Sequence, residues 1–139
     1  MKNKKKLLVI GGTGFLGFHL CKEALKKKWV VTSFSTNKPK KIRFLNKVKY
    51  VIGDISKKKE ISKINQKFDY VVNFGGYVDH KNKIKTFKSH YVGCKNLADY
   101  FLKKKIESFI QIGSCIEYGN KESPQDENSY FPTHKLKSY

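Results

Sequence analysis

The chain has 139 residues, 39% of them hydrophobic, and a formal charge of +19 from 30 Lys and Arg against 11 Asp and Glu. That length fits one domain, residues 1–139, with a modest core, and aromatic residues spread along the chain exclude a disordered polyelectrolyte. No apolar run approaches the roughly 20 residues of a membrane-spanning helix, so no membrane partner is expected.

Residues 1–6 are basic and lead into LLVI, which mimics the opening of an export signal. Glycines break that apolar run, and no small-residue cleavage site follows it. Strand-like runs of apolar and β-branched residues then recur at 6–10, 29–35, 48–53, 68–74 and 108–113. Between the first two, residues 14–28 place Phe15, Leu16, Leu20, Ala24 and Leu25 at helical spacing. Residues 60–64 form a short helical candidate. A long one covers 84–105, with Phe87, Tyr91, Cys94, Leu97, Ala98, Phe101 and Leu102 on a 3-4 spacing. Strand and helix alternate, which predicts an α/β fold with a parallel sheet covered on both faces. Right-handed crossovers then give a doubly wound sheet of five strands in the order 3-2-1-4-5. From 118 to 139 the pattern dissolves into Asn, Pro, Ser and charge.

The charge is almost all lysine, in short runs at 4–6, 26–28, 57–59 and 103–105, and Arg43 is the one arginine. Nucleic-acid readers favour the planar arginine fork, so a solvated lysine-rich surface is expected rather than a nucleic-acid partner. Three of the runs precede strands, at the sheet edge opposite to the one where such folds bind ligands. Cys21, Cys94 and Cys115 are odd in number, and neither they nor His80 and His134 have metal-ligand spacing. A reduced, cytoplasmic chain without a metal site is the expectation.

The stretch IGGTGFLGFHL carries the chemistry. Gly11, Gly14 and Gly17 follow a strand and open a helix inside a strand–helix–strand unit, the context in which such glycines hold a dinucleotide. The first permits a tight turn, the second lets backbone N–H groups of residues such as Thr13, Phe15 and Leu16 approach a pyrophosphate, and the third lets helix and sheet pack closely. An acidic residue closing the second strand would hold the ribose 2′-OH of NAD. Here that strand ends in Ser35, Thr36, Asn37 and Lys38, with Lys40, Lys41 and Arg43 following, which favours NADP over NAD.

Several stretches in register resemble the extended short-chain dehydrogenase/reductase family of nucleotide-sugar epimerases, dehydratases and reductases. They are GGTGFLG, VIGDIS, VVNFGGYVDH, GCKNLADYF and FIQIGSCIEYG. The resemblance implies that Asp54 hydrogen-bonds the adenine amine and Ile55 packs on its ring. It places Phe74, Gly75 and Gly76 beside the cofactor's ribose and phosphates. It makes Ser114 the catalytic hydroxyl and Tyr139 the catalytic tyrosine of a Tyr-x-x-x-Lys motif whose lysine would stand at position 143. Tyr91 with Lys95 and Tyr100 with Lys104 share that spacing, but they precede the fifth strand and are expected to be structural. His90 stands where the family often has Asn. Cys115 and Ile116 after Ser114 disfavour dehydration, and Glu117 before Tyr118 resembles some reductases of keto-deoxy nucleotide sugars. The expectation is the N-terminal cofactor-binding part of an epimerase or keto-sugar reductase, inactive alone. Its full-length form would take a nucleotide-sugar substrate and form a homodimer. The competing readings are a catalytically silent dinucleotide-binding module and, third, a basic nucleic-acid-binding protein.

Overall fold

The computed structural model describes residues 4–79, 81–114, 118, 124 and 126. Five strands form one sheet: β1 (Lys6–Ile10), β2 (Val30–Ser35), β3 (Val48–Ile52), β4 (Tyr70–Asn73) and β5 (Ser108–Gln111). Their order is β3-β2-β1-β4-β5 and every pairing is parallel, as the alternation predicted. The helices are α1 (Phe15–Lys26), α2 (Lys58–Ile61), α3 (Lys83–Phe87) and α4 (Gly93–Phe101). A 3-10 turn spans Lys41–Arg43 and a π turn spans Lys88–Val92.

Central strand β1 shows why the apolar runs are nearly continuous. Leu7 and Val9 point to one face and meet Cys21 and Ala24 of α1 in a cluster that also holds Val31, Val48 and Val72. Leu8 and Ile10 point to the other face and join Phe34, Ile55, Ile61, Ile64, Phe68, Val71, Leu97 and Phe101. With side chains alternating along a strand and helices on both faces, each residue of β1 after Lys6 is buried.

α1 buries Gly17, Cys21 and Ala24, spaced four and three apart on one face. It closes at Lys27, and Lys28 turns the chain into β2 with φ +60°. Burial pushes the Cys21 thiol up to about 12, so it stays neutral within the core.

The long helix differs from its prediction. The 3-4 spacing puts Phe87, Tyr91, Leu97 and Phe101 on one stripe, yet Phe87 and Tyr91 are 57% and 59% exposed whereas Leu97 and Phe101 are buried. The π turn over Lys88–Val92, which contains Tyr91 and precedes Leu97, is the reason. Its i→i+5 bonding adds a residue to one turn and rotates the apolar face out of phase. Phe87 and Tyr91 instead stack on each other at 5.1 Å between centroids.

Beyond their formal ends the strands remain tied together. Gly11 N–H donates to Phe34 O (2.8 Å), Gly53 N–H to Ser35 O (3.0 Å), and Phe74 N–H to Ile10 O (3.0 Å). These bonds bring the loops that follow β1, β2, β3 and β4 to one edge of the sheet. At the opposite edge lie Lys5, Glu107 and Tyr70, joined by Lys5–Glu107 and Tyr70–Glu107 hydrogen bonds.

Candidate cofactor site

A cleft of about 720 Å³ opens along the carboxyl ends of the strands. It is lined by Gly11, Thr13, Gly14, Phe15, Leu16 and Gly17, by Ser35 and Thr36, by Asp54 and Ile55, and by Phe74, Gly75, Gly76 and Ser114. Asn37 and Lys38 lie outside that lining: both are exposed, and Asn37 Nδ2 donates to Thr36 Oγ1 (3.2 Å). Tyr139, like Cys115, Ile116, Glu117, His80 and His134, lies outside the described residues. Tyr91 and Tyr100 are accounted for otherwise. Tyr91 stacks on Phe87, Tyr100 Oη donates to Ile64 O, and Lys104 Nζ sits 4.3 Å from the Tyr100 ring centroid.

The glycine turn is built by contact. Gly11 has φ +76°, a conformation that L side chains rarely adopt. At Gly17 an added Cβ would stand 2.3 Å from Gly11 O, so only glycine lets α1 lie against the turn. Gly14 N–H donates to Gly11 O (2.9 Å) and no side chain caps α1. The first-turn N–H groups of Phe15, Leu16 and Gly17 therefore have neither an intrahelical partner nor a capping side chain, and they meet the cleft with the positive end of the helix dipole. Such a cradle fits the oxygens of a pyrophosphate.

Around it, Thr13 N–H points to Ser35 Oγ (3.4 Å), and Ser33 and Ser35 hydroxyls lie within 3.4 Å of each other. Asp54 is held from both sides: its N–H donates to Glu60 Oε2 (3.0 Å) and its Oδ1 accepts from Ser56 N–H (2.8 Å). The Asp54 amide and then the Lys57 ammonium hold the Glu60 carboxyl below the usual range. Ile55 lines the cleft while its side chain is buried close against Gly93 and Gly75. Asn96 Nδ2 of α4 donates to Ile55 O (3.0 Å) and Ser56 O (3.1 Å), fixing this loop to the helix.

Sequence reasoning missed several residues on the far wall, among them Tyr77, Ser89, Cys94 and Gln111. Asn73 Oδ1 accepts from Gly75 N–H (2.8 Å), and its Nδ2 donates to Gln111 Oε1 (2.7 Å), which also receives Cys94 Sγ–H (3.0 Å). The π turn sets adjacent side chains on the backbone of one residue: Ser89 Oγ accepts from Tyr77 N–H (2.9 Å), and His90 Nε2 donates to Tyr77 O (3.2 Å). His90 also packs on Gly76, where an added Cβ would meet its ring at 2.4 Å. The sequence marks His90 only as a departure from a pattern; nothing in it shows the contact with Gly76. Among the described residues no group of three or more His, Cys, Asp or Glu could hold a metal ion, and no helix is long and apolar enough to cross a membrane.

The profile of the NAD dependent epimerase/dehydratase family matches residues 7–139. The chain belongs to that family. Curated relatives include the bifunctional UDP-glucose 4-epimerase and UDP-xylose 4-epimerase 1 of Pisum sativum, 24% identical over 138 residues. Another is the corresponding epimerase 3 of Arabidopsis thaliana, 26% identical over 137 residues. Each alignment covers 86% of this chain and 39% of the relative, so the chain spans about two fifths of their length. The fold matches that of the Bordetella bronchiseptica enzyme WbmH, solved in complex with NAD⁺, with a TM-score of 0.83 at 18% identity over 96% of this chain and 48% of that one. It also matches the UDP-Glc/GlcNAc 4-epimerase of Campylobacter jejuni, with a TM-score of 0.80 at 24% identity over 90% and 42%. Membership of the epimerase/dehydratase family thus agrees with the Rossmann-like order of the five strands.

Proposed function

We propose that this family member is the N-terminal, cofactor-binding part of a nucleotide-sugar epimerase or keto-sugar reductase, moving hydride at a sugar carbon. The observation that carries the reading is one cleft onto which the glycine turn, the end of β2, Asp54, Gly75 and Ser114 all open. A bound nicotinamide dinucleotide supplies hydride acceptance or donation. The chain's own groups do the rest. First-turn amides of α1 hold the pyrophosphate, Asp54 and Ile55 bound the adenine, and Phe74, Gly75 and Gly76 run beside the ribose and phosphates. Ser114 donates a hydrogen bond to the reacting sugar oxygen, and the Tyr139 phenol gives or takes its proton.

NADP is favoured over NAD. The corner where Thr13 meets Ser35 offers hydroxyls, and residues 24–53 contain no Asp or Glu to hold a free 2′-OH. A phenol with a reference pKa near 10 needs a neighbouring ammonium to work near neutrality. Position 143 lies beyond these residues, so a polypeptide of these 139 binds dinucleotide without turning over a nucleotide sugar. The nucleotide sugar and a second subunit are partners of the full-length form.

Titration of the chain with NADPH and NADH, followed by nicotinamide fluorescence, tests this. Saturable binding of both, tighter for NADPH, is expected, with no conversion of UDP-glucose or of a 4-keto nucleotide sugar. Binding of neither overturns the cofactor reading, tighter NADH binding overturns the NADP preference, and measurable conversion overturns inactivity.

A further inference from the structure

Three of the four lysine runs meet on one face of the fold. All five strands start at the sheet edge opposite the cleft: Lys6 pairs with Val30, Val31 with Val48, Leu7 with Tyr70, and Tyr70 with Ser108. α1 and α4 return to that edge on opposite faces of the sheet, and lysines 26–28 and 103–105 lie at their ends. Lysines 4–6 lead into β1, Lys47 into β3 and Lys67 toward β4. All of these except Lys5 are exposed. The carboxylates nearby are already engaged. Glu23 accepts from Lys26 Nζ (2.6 Å), Asp69 from Lys6 N–H (2.7 Å), and Glu107 from Lys5 Nζ and Tyr70 Oη. Asp99, further back on α4, accepts from Lys95 Nζ (2.9 Å). Apolar groups stand among the lysines. Leu102 is 83% exposed beside the run 103–105, and Trp29, the one tryptophan, stacks on Tyr70 at 5.1 Å.

We propose that this edge docks on an anionic bilayer surface, by adsorption and without a spanning segment. Four strand spacings of about 4.8 Å make the edge roughly 19 Å wide, and a helix layer on either side broadens it into a two-dimensional basic face. Such a face matches a plane of lipid headgroups, each lysine reaching a headgroup as a point charge on a flexible stem. A nucleic acid rewards the arginine fork instead, and the one arginine, Arg43, lies over Phe15 at the cleft end of the molecule. Leu102 and Trp29 suit the interfacial zone of a bilayer, where apolar and amphipathic side chains gain from leaving water. Docked this way, the chain turns its cleft away from the bilayer, so ligand access there stays open.

The test is co-sedimentation of the 139-residue chain with vesicles of phosphatidylcholine, alone or with about 30% phosphatidylserine, at about 100 mM salt. Trp29 emission is read alongside. Binding to the anionic vesicles only is expected, with a shift of Trp29 emission to shorter wavelength and release at high salt. A lysine beside an anionic surface strengthens binding roughly fivefold, so Lys→Gln at positions 26, 27, 28, 103, 104 and 105 should weaken it at least about a hundredfold. Lys→Gln at 57, 58, 59, 83, 85 and 88, at the cleft end, gives the same net charge and should cost less than about tenfold. Leu102→Gln should weaken binding up to about tenfold and reduce the Trp29 shift. A melting curve for each variant shows that the fold persists. No binding to anionic vesicles, equal binding to neutral ones, or equal loss in the two six-lysine variants overturns the proposal. Duplex DNA that strips the chain from vesicles at equal phosphate concentration, through the same edge lysines, assigns the face to nucleic acid and overturns the lipid assignment.

Discussion

At the scale of single residues, backbone geometry decides more than side-chain chemistry. Gly17 lies so close to Gly11 O that Gly17→Ala must push α1 off the turn. The expected cost is about 1–3 kcal/mol, as for other overpacked sites, with loss of dinucleotide affinity, measured by urea unfolding and nicotinamide fluorescence. Lys28 behaves oppositely. Its φ of +60° strains an L residue, so Lys28→Gly should raise stability by up to about 1 kcal/mol in the same unfolding assay. The glycines of the turn were legible because their spacing is local and sits between a strand and a helix. Lys28 was not, since nothing in KKKW reveals which lysine takes the left-handed conformation.

Single elements are held to one another by a few buried polar contacts. Asn96 is buried and bridges α4 to the carbonyls of Ile55 and Ser56 behind the Asp54 loop. Asn96→Leu keeps the branched shape but leaves both carbonyls unpaired, and it should cost about 1–3 kcal/mol. Dinucleotide affinity should fall further than stability alone accounts for, because Asp54 loses its backing. Thermal melts with and without NADPH check both effects. The five strands and their order were legible, as each strand reads as a short apolar run and parallel crossovers leave few topologies. The phase of the long helix was not. A helical spacing continues on paper through Tyr91, and only the packing of Ser89 and His90 on Tyr77 and Gly76 shows where a π turn interrupts it.

For the whole molecule, charge is the main lever on stability. A formal charge of +19 repels itself, so the unfolding midpoint should rise between about 10 mM and 150 mM salt, as the Debye length falls from about 30 to 8 Å. Acid should act the other way. Glu60 is held low by the Asp54 amide and then by Lys57, Glu107 by Lys5 and then Tyr70, and Asp99 by Lys95. Each carboxyl therefore binds its proton less readily in the folded chain than in the unfolded one. Its contribution is full above the unfolded carboxyl value near 4 and is lost as pH falls through the lower folded one. A urea midpoint that drops below about pH 5, with a shallower drop in Glu60→Gln, is the expected result. By itself the sequence determined the sheet, its order and the glycine turn that opens α1, because those follow from spacings within a few residues and from chain crossovers. Only the tertiary structure decided that Arg43 rests on Phe15, that the Ile55 side chain is buried against Gly93 and Gly75, and that Asn37 and Lys38 stand outside the cleft. Those facts depend on contacts between segments far apart in the chain, which no local pattern encodes.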